Sequence, residues 1–350
     1  MLADVDPSVT DRTLEFWRHE GLLPRPERIA QNGKTPIWTH PPETMSQLRA
    51  LLRLRRQTRE LNVLRAALWF EGYSIDVSRV RRSISAYLRH VRDVFERELD
   101  EHLPTGDKPG GRQESIRALA QVLARKRGNG IPRLSRQPLD ERTDAIAVML
   151  TLVLGEEPVS ADLQAHGNAV ERFIGVDHGR RYHLGEAGPW LDGAPADGLR
   201  GFAAAGSLPR LIAVMESATD EDLQSARRLG VTFLGGISAF SRMADAMVGR
   251  HNASGMAGMA LFAGDRPDAF LIVPLMVSLL KTSEHAMNLR QMADILEGNV
   301  LPVEARIREI AALPNAEQSE KLKHLDKLPF IDQLGLKRLL NDLKPEDPGR

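Results

Sequence analysis

Val77, Val80, Ile84, Tyr87, Val91 and Val94 follow one another at alternating steps of three and four. Only an α-helix gathers residues so spaced onto one side, so a single long helix with a heptad seam is expected from about Val77 to Leu103. Such a seam can pair with that of a second copy as a coiled-coil-like dimer contact. Because Leu88, Phe95 and Leu99 widen the stripe, it can equally pack inside the chain. The spacing alone leaves both open.

Helical spacing recurs throughout the 350 residues. Met45, Leu48, Leu51, Leu52 and Leu54 predict one helix, and Leu61, Leu64, Ala67 and Leu68 a second that stops at Gly72. Beyond Leu139 the pattern is nearly all helical, with starts at Asp140, Ser207, Thr219, Pro267 and Val300 and no strand-like alternation of any length. Thr219 to Asp222 has the form of a capping box with Asp in the last place. Gly235-Gly236 inside the helix that follows predicts either a close neighbour or a bend. The fold class expected is mainly α.

Pro104 to Arg112 and Gly128 to Pro138 read as breaks flanking a short basic helix around Ile116 to Lys126. The plan is therefore an N-terminal unit over 1–75, a long helix over 76–103, a linker region over 104–139 and a helical domain over 140–350. The length suits two or more domains. Near the N-terminus one short polar-capped helix precedes PRPERIAQNGKTPIWTHPP, where Asn32-Gly33 signals a turn between two short strands.

Cysteine is absent, which excludes disulfides, thiolate metal centres and cysteine nucleophiles. The longest apolar runs, 145–154 and 269–280, fall short of the roughly 20 residues that span a membrane, and are read as buried helices. MLADVDPSVTDR is acidic and lacks a secretory apolar core, so it does not read as a secretory signal and a cytoplasmic location is expected. Overall charge is balanced, 47 basic against 47 acidic residues, but 12–92 holds 16 Lys/Arg and only 7 Asp/Glu. The positive end is the N-terminal one, and it points to a polyanionic partner.

The informative stretch is SVTDRTLEFWRHEGLLPRP, residues 8–26. Ser8 or Thr10 can cap a helix, Leu14 with Trp17 or Phe16 gives it an inward face, and Gly21 ends it before Leu22-Leu23. Thr10, Arg12, Thr13, Arg18 and His19 are left outward, supplying donors of the kind that phosphate oxygens and base edges accept. The run V-T-x-R-T-L-x-F-W-x-x-E-G-L-L-P resembles the second helix and exit turn of the MerR family of winged-helix transcription regulators. The resemblance implies a small β wing bearing an Asn-Gly turn and basic residues, similar to Arg25, Arg28, Asn32, Gly33 and Lys34 here. It further implies a helix pair, similar to 47–75, and then an antiparallel dimerisation helix, similar to the Val77 to Leu103 seam. Such a homodimer would read a pseudo-palindromic site in double-stranded DNA and bend and untwist the promoter.

The resemblance stops near residue 103, and there are departures within it. The segment MLADVDP stands where the family has a first helix, so either the start lies upstream of Met1 or that helix is a single turn. Phe16-Trp17 replaces a Tyr pair, Glu15 replaces a basic residue, and KTPIW replaces the wing's Tyr-Arg-x-Tyr, with Pro36 unable to donate to a ladder. Modest DNA affinity follows.

Distal chemistry is sparsely signalled. His166, Asp177, His178, His183 and Glu186 match no metal spacing and read as a polar surface loop. The Met-rich run from Met243 to Met259 reads as core filler before it reads as an adaptable pocket. No Walker loop, nucleophile elbow, HExxH or dinucleotide fingerprint is present, so neither an enzyme nor a cofactor is expected. Two functions remain: a transcription regulator whose helical domain senses a small molecule or protein, and a helical interaction scaffold that docks on DNA without controlling a promoter, of a phage, plasmid or replication type.

Overall fold

The computed structural model describes residues 9–32, 35–101, 111–125, 138–156, 205–248 and 266–302, together with 305 and 309. These are mainly helical, with one two-stranded antiparallel sheet, and no helix among them is long and apolar enough to cross a membrane.

Helix α1 spans Asp11–His19. Thr10 caps it, its hydroxyl accepting the Thr13 N–H at 3.2 Å. Gly21, at φ +71°, turns the chain out of the helix, and the Leu22 N–H returns to the Trp17 carbonyl at 2.8 Å. Strands β1 (Glu27–Asn32) and β2 (Thr35–Thr39) follow. Pairing of Asn32 with Thr35 leaves two residues, 33 and 34, to connect them. Pro36 fits this ladder because both strands of a two-stranded ribbon are edges, where its missing N–H can face outward.

Helix α2 (Thr44–Arg55) buries Leu48, Leu51 and Leu54, and its Gln47 amide donates to the Leu22 carbonyl at 2.9 Å. Helix α3 (Leu61–Phe70) is buried from Val63 to Phe70 and ends before Gly72, whose φ of +110° is open to glycine. Helix α4 (Val77–Glu101) starts at Asp76, whose carboxylate accepts the Arg79 N–H at 2.8 Å and the Ser78 hydroxyl at 2.5 Å. These bonds hold the Asp76 carboxyl below its usual pKa, the Ser78 bond contributing most.

The seam of α4 turns inward. Val80 and Ile84 are 0 % exposed within the single chain, packed with Leu88 against α3 and the distal helices α7 (Leu208–Ser217) and α8 (Asp220–Val248). Val77, Tyr87 and Val91 are half-buried on the same cluster, Val94 is half-buried, and Tyr87 meets Phe270 edge-on at 5.7 Å. Of the two readings, intramolecular packing is the one realised. Val80 and Ile84, expected as contacts to a second copy, are thereby corrected, since the widened stripe covers them with the chain's own helices, whereas Val77, Tyr87, Val91 and Val94 keep part of their surface.

The short basic helix expected around Ile116 to Lys126 is present and starts earlier, while 104–110 and 126–137 lie outside the described residues. Helix α5 (Gly111–Arg125) lies against α6 (Leu139–Leu154), and Ile116, Leu119, Ala120, Ile146 and Leu150 form a second small core with Leu99. Arg112 ties it to α4, forking onto Glu96 at 2.9 Å and reaching Glu156 at 2.6 Å.

In α8 the capping box forms as expected, Thr219 N–H to the Asp222 carboxylate at 2.9 Å and Asp222 N–H to the Thr219 hydroxyl at 3.1 Å. The Gly235-Gly236 pair marks close approach, not a break: a Cβ on Gly236 would lie 2.6 Å from Leu296. A 3-10 turn (Ala269–Leu271), α9 (Ile272–Leu280) and α10 (Ser283–Ile295) follow. The helix expected to start at Val300 is a correction too, because a π turn over Leu296–Val300 carries α10 onward through that point. Buried residues from Val9 to Leu88 and from Ala205 to Leu289 form one cluster, so the expected boundary at residue 75 runs through a shared core.

Candidate nucleic-acid interface

The inward face of α1 is Leu14 and Trp17, both buried, which leaves Phe16 outward at 46 % exposure. Two cations hold the end of the helix. Arg65, buried on α3, donates to the Glu20 carbonyl at 3.0 Å, the Glu20 carboxylate at 3.1 Å and the Ser83 hydroxyl at 2.8 Å. Burial lowers its guanidinium pKa and Glu20 opposes that shift. Arg79 donates to the His19 carbonyl at 3.2 Å. Both positive groups lie where helix carbonyls are unsatisfied, so α1 is fixed to α3 and α4 at its C-terminal end.

The outward residues divide. Thr10 and Arg12 are exposed, Thr13 is half-buried, and the Thr10 and Thr13 hydroxyls lie 2.9 Å apart within the cap. His19 is exposed, its Nδ1 3.3 Å from the Glu20 carboxylate. Arg18 is not outward: its side chain is 13 % exposed and pairs with Glu15 at 2.5 Å. The expectation that Arg18 is left outward is corrected, because a carboxylate three residues earlier on the same helix folds it back.

In the hairpin Arg28 lies directly opposite Trp38, so the two side chains share one face of the ribbon. A bulge between Arg28 and Ala30 sets this register and puts Ile29 in the extra position. Ile29 is 63 % exposed and Trp38 55 %. Arg25 and Arg28 are exposed, and Lys34 lies outside the described residues.

The basic end of α2 comes up beside α1. The Arg55 guanidinium sits over the Trp17 ring at 4.9 Å, and Arg53 forks onto Glu71 at 2.6 Å. The N-terminal charge excess is thus partly internal. Arg18, Arg53, Arg65 and Arg92 pair nearby, whereas Arg81 pairs with Asp220 and Arg89 with Glu216, stitching α4 to the distal helices. The side chains of Arg12, Arg25, Arg49, Arg56 and Arg59 are exposed and have no hydrogen-bond or ion-pair partner among the described residues.

Sequence reasoning missed Trp38, Ile29 and Arg49. Counting outward from the two-residue turn puts Ile29, not Arg28, opposite Trp38, and only the bulge shifts the pairing. Among the described residues no group of three or more His, Asp or Glu side chains could hold a metal ion. The polar loop from His166 to Glu186 and the Met243 to Met259 run lie outside the residues whose side chains are described. No protein-family model, curated protein or solved structure matches the chain.

Proposed function

We propose that the helix and hairpin at the N-terminus bind double-stranded DNA, as a MerR-like winged helix, and that the protein is a transcription regulator whose distal helical region receives a small-molecule or protein effector. The observation that carries this reading is the set of exposed cations Arg12, Arg25, Arg49, Arg56 and Arg59 around α1, the hairpin and α2, whose side chains are unpaired among the described residues. Cations with no protein carboxylate to satisfy them are suited to phosphate oxygens. Arg28 and Trp38 give the hairpin a basic and apolar face suited to a groove wall, and the bulged Ile29 is exposed next to Arg28 in the chain. A nucleoid location goes with this function.

The test is fluorescence anisotropy of a labelled duplex carrying the gene's own upstream sequence, titrated at two salt concentrations. Affinity should fall with salt, with a logarithmic slope of about 0.9 per phosphate neutralised. Arg12→Ala with Arg28→Ala should abolish retention while the circular dichroism spectrum is kept, and Arg18→Ala should leave it unchanged. Retention by the double variant would overturn the reading.

One observation favours a DNA-docking interaction scaffold as the second reading. With Val80 and Ile84 of the α4 seam buried inside the chain, that seam is largely taken and is less suited to supply the two-fold symmetry a palindromic operator needs. Promoter output at a bound site separates the two, since a regulator must change it.

A further inference from the structure

A cavity of about 320 Å3 opens between α3, α8 and the 3-10 turn. That is near the lower end of the roughly 300 to 1,000 Å3 of small-molecule sites. Its wall is mixed: Ala67, Phe70, Leu234, Pro267, Ala269 and Phe270 supply the apolar part, and Ser238 is polar. Two charged residues also line it, and each is already neutralised: Glu71 by the fork from Arg53, and Arg266 by its own fork onto Asp268 at 3.0 and 2.9 Å.

Arg227 is different. It lies on α8 one helical turn before Val231, a lining residue, and so on the same face of the helix. Its guanidinium stacks on Trp69 at 5.2 Å, and its Nη2 would lie 3.3 Å from a Cβ on Gly72, the neighbour of the lining residue Glu71. Glycine at that point leaves the room in which the guanidinium sits. Among the described residues no carboxylate, carbonyl or hydroxyl is bonded to it, and it is half-buried. Burial accordingly lowers its pKa with nothing opposing. A cation held on an aromatic ring, partly out of water and without a counter-ion, has an open place for an anion.

We propose that this cavity binds a small amphipathic anion, an apolar chain or ring in the pocket with a carboxylate-type head on Arg227. The sign follows from the described charges: the lining Glu71 and Arg266 are each paired, and Arg227, which stands beside the lining and not in it, has no partner among the described residues. The proposal goes beyond DNA binding and does not rest on it.

Calorimetry on the full chain, with octanoate and its neutral counterpart octanol as probes, tests it. Octanoate should bind saturably and more tightly than octanol. Arg227→Leu should weaken octanoate about tenfold or more and leave octanol within about twofold, as expected for loss of a charge-assisted contact, while Arg227→Lys should keep most of the preference. Val231 is exposed, so Val231→Trp tests the cavity without burdening the core, and it should block both probes. Absence of saturable octanoate binding, equal affinity for the two probes, or octanoate binding unchanged in Arg227→Leu or Val231→Trp would each overturn the proposal.

Discussion

Replacing Arg65 with Met should detach the end of α1 from the helices behind it. Arg65 is 8 % exposed, and its three bonds reach two elements beyond its own. The Ser83 hydroxyl is buried, and a charged bond to it contributes about 2 kcal/mol. The Glu20 carbonyl adds about 1 kcal/mol. The Glu20 carboxylate is partly in water, so its share is discounted to about 0.5 kcal/mol. Met restores most of the stem's packing but none of these bonds. The expected loss is about 3.5 kcal/mol, read by urea unfolding followed through tryptophan fluorescence, to which the buried Trp17 and Trp69 contribute. Ser83→Ala should cost about 1 to 2 kcal/mol alone and much less in the Arg65→Met background, giving a coupling of about 1 kcal/mol or more. Additive effects, or a loss below about 0.5 kcal/mol for Arg65→Met, would refute the view that this guanidinium anchors α1.

Three further outcomes are expected. Asp76→Ala should cost about 1 kcal/mol at neutral pH as a lost cap. The folded pKa of Asp76 lies below its usual 3.8, so its contribution is complete above that value and lost as pH falls through the lower one; the deficit should therefore shrink in urea titrations toward pH 3, and a constant deficit would contradict the cap. Gly236→Ala should gain about 1 kcal/mol in helix propensity but lose about 2 kcal/mol to overpacking against Leu296, so a net fall in Tm is expected and a rise would show that Leu296 yields freely. Ile116→Ala should cost about 3 kcal/mol in urea unfolding, whereas an unchanged midpoint would return α5 to a linker role.

Local chemistry made the helix ends legible. Thr10, Gly21, Gly72 and the Thr219–Asp222 box act within a few residues of themselves, so their roles can be read without knowing the fold. What covers a face is a different matter. The α4 stripe shows that a face is buried, but its cover comes from α3 and from residues beyond Ala205, a pairing no spacing encodes. The charge excess over 12–92 misled in the same way, since a count includes Arg81 and Arg89 without knowing that Asp220 and Glu216 meet them. In the hairpin, a single bulged residue decided which side chain stands beside Trp38, and nothing in KTPIW signals it.

The shared core also bears on synthesis. A chain emerging from the ribosome has finished α1 to α4 long before residues 205 to 289 are made, yet Val80, Ile84 and Leu88 need those residues for cover. During that interval an apolar strip on α4 is bare, a natural target for a chaperone. A fragment ending near residue 103 would keep the strip exposed permanently, and the N-terminal unit should be prone to aggregate when expressed alone.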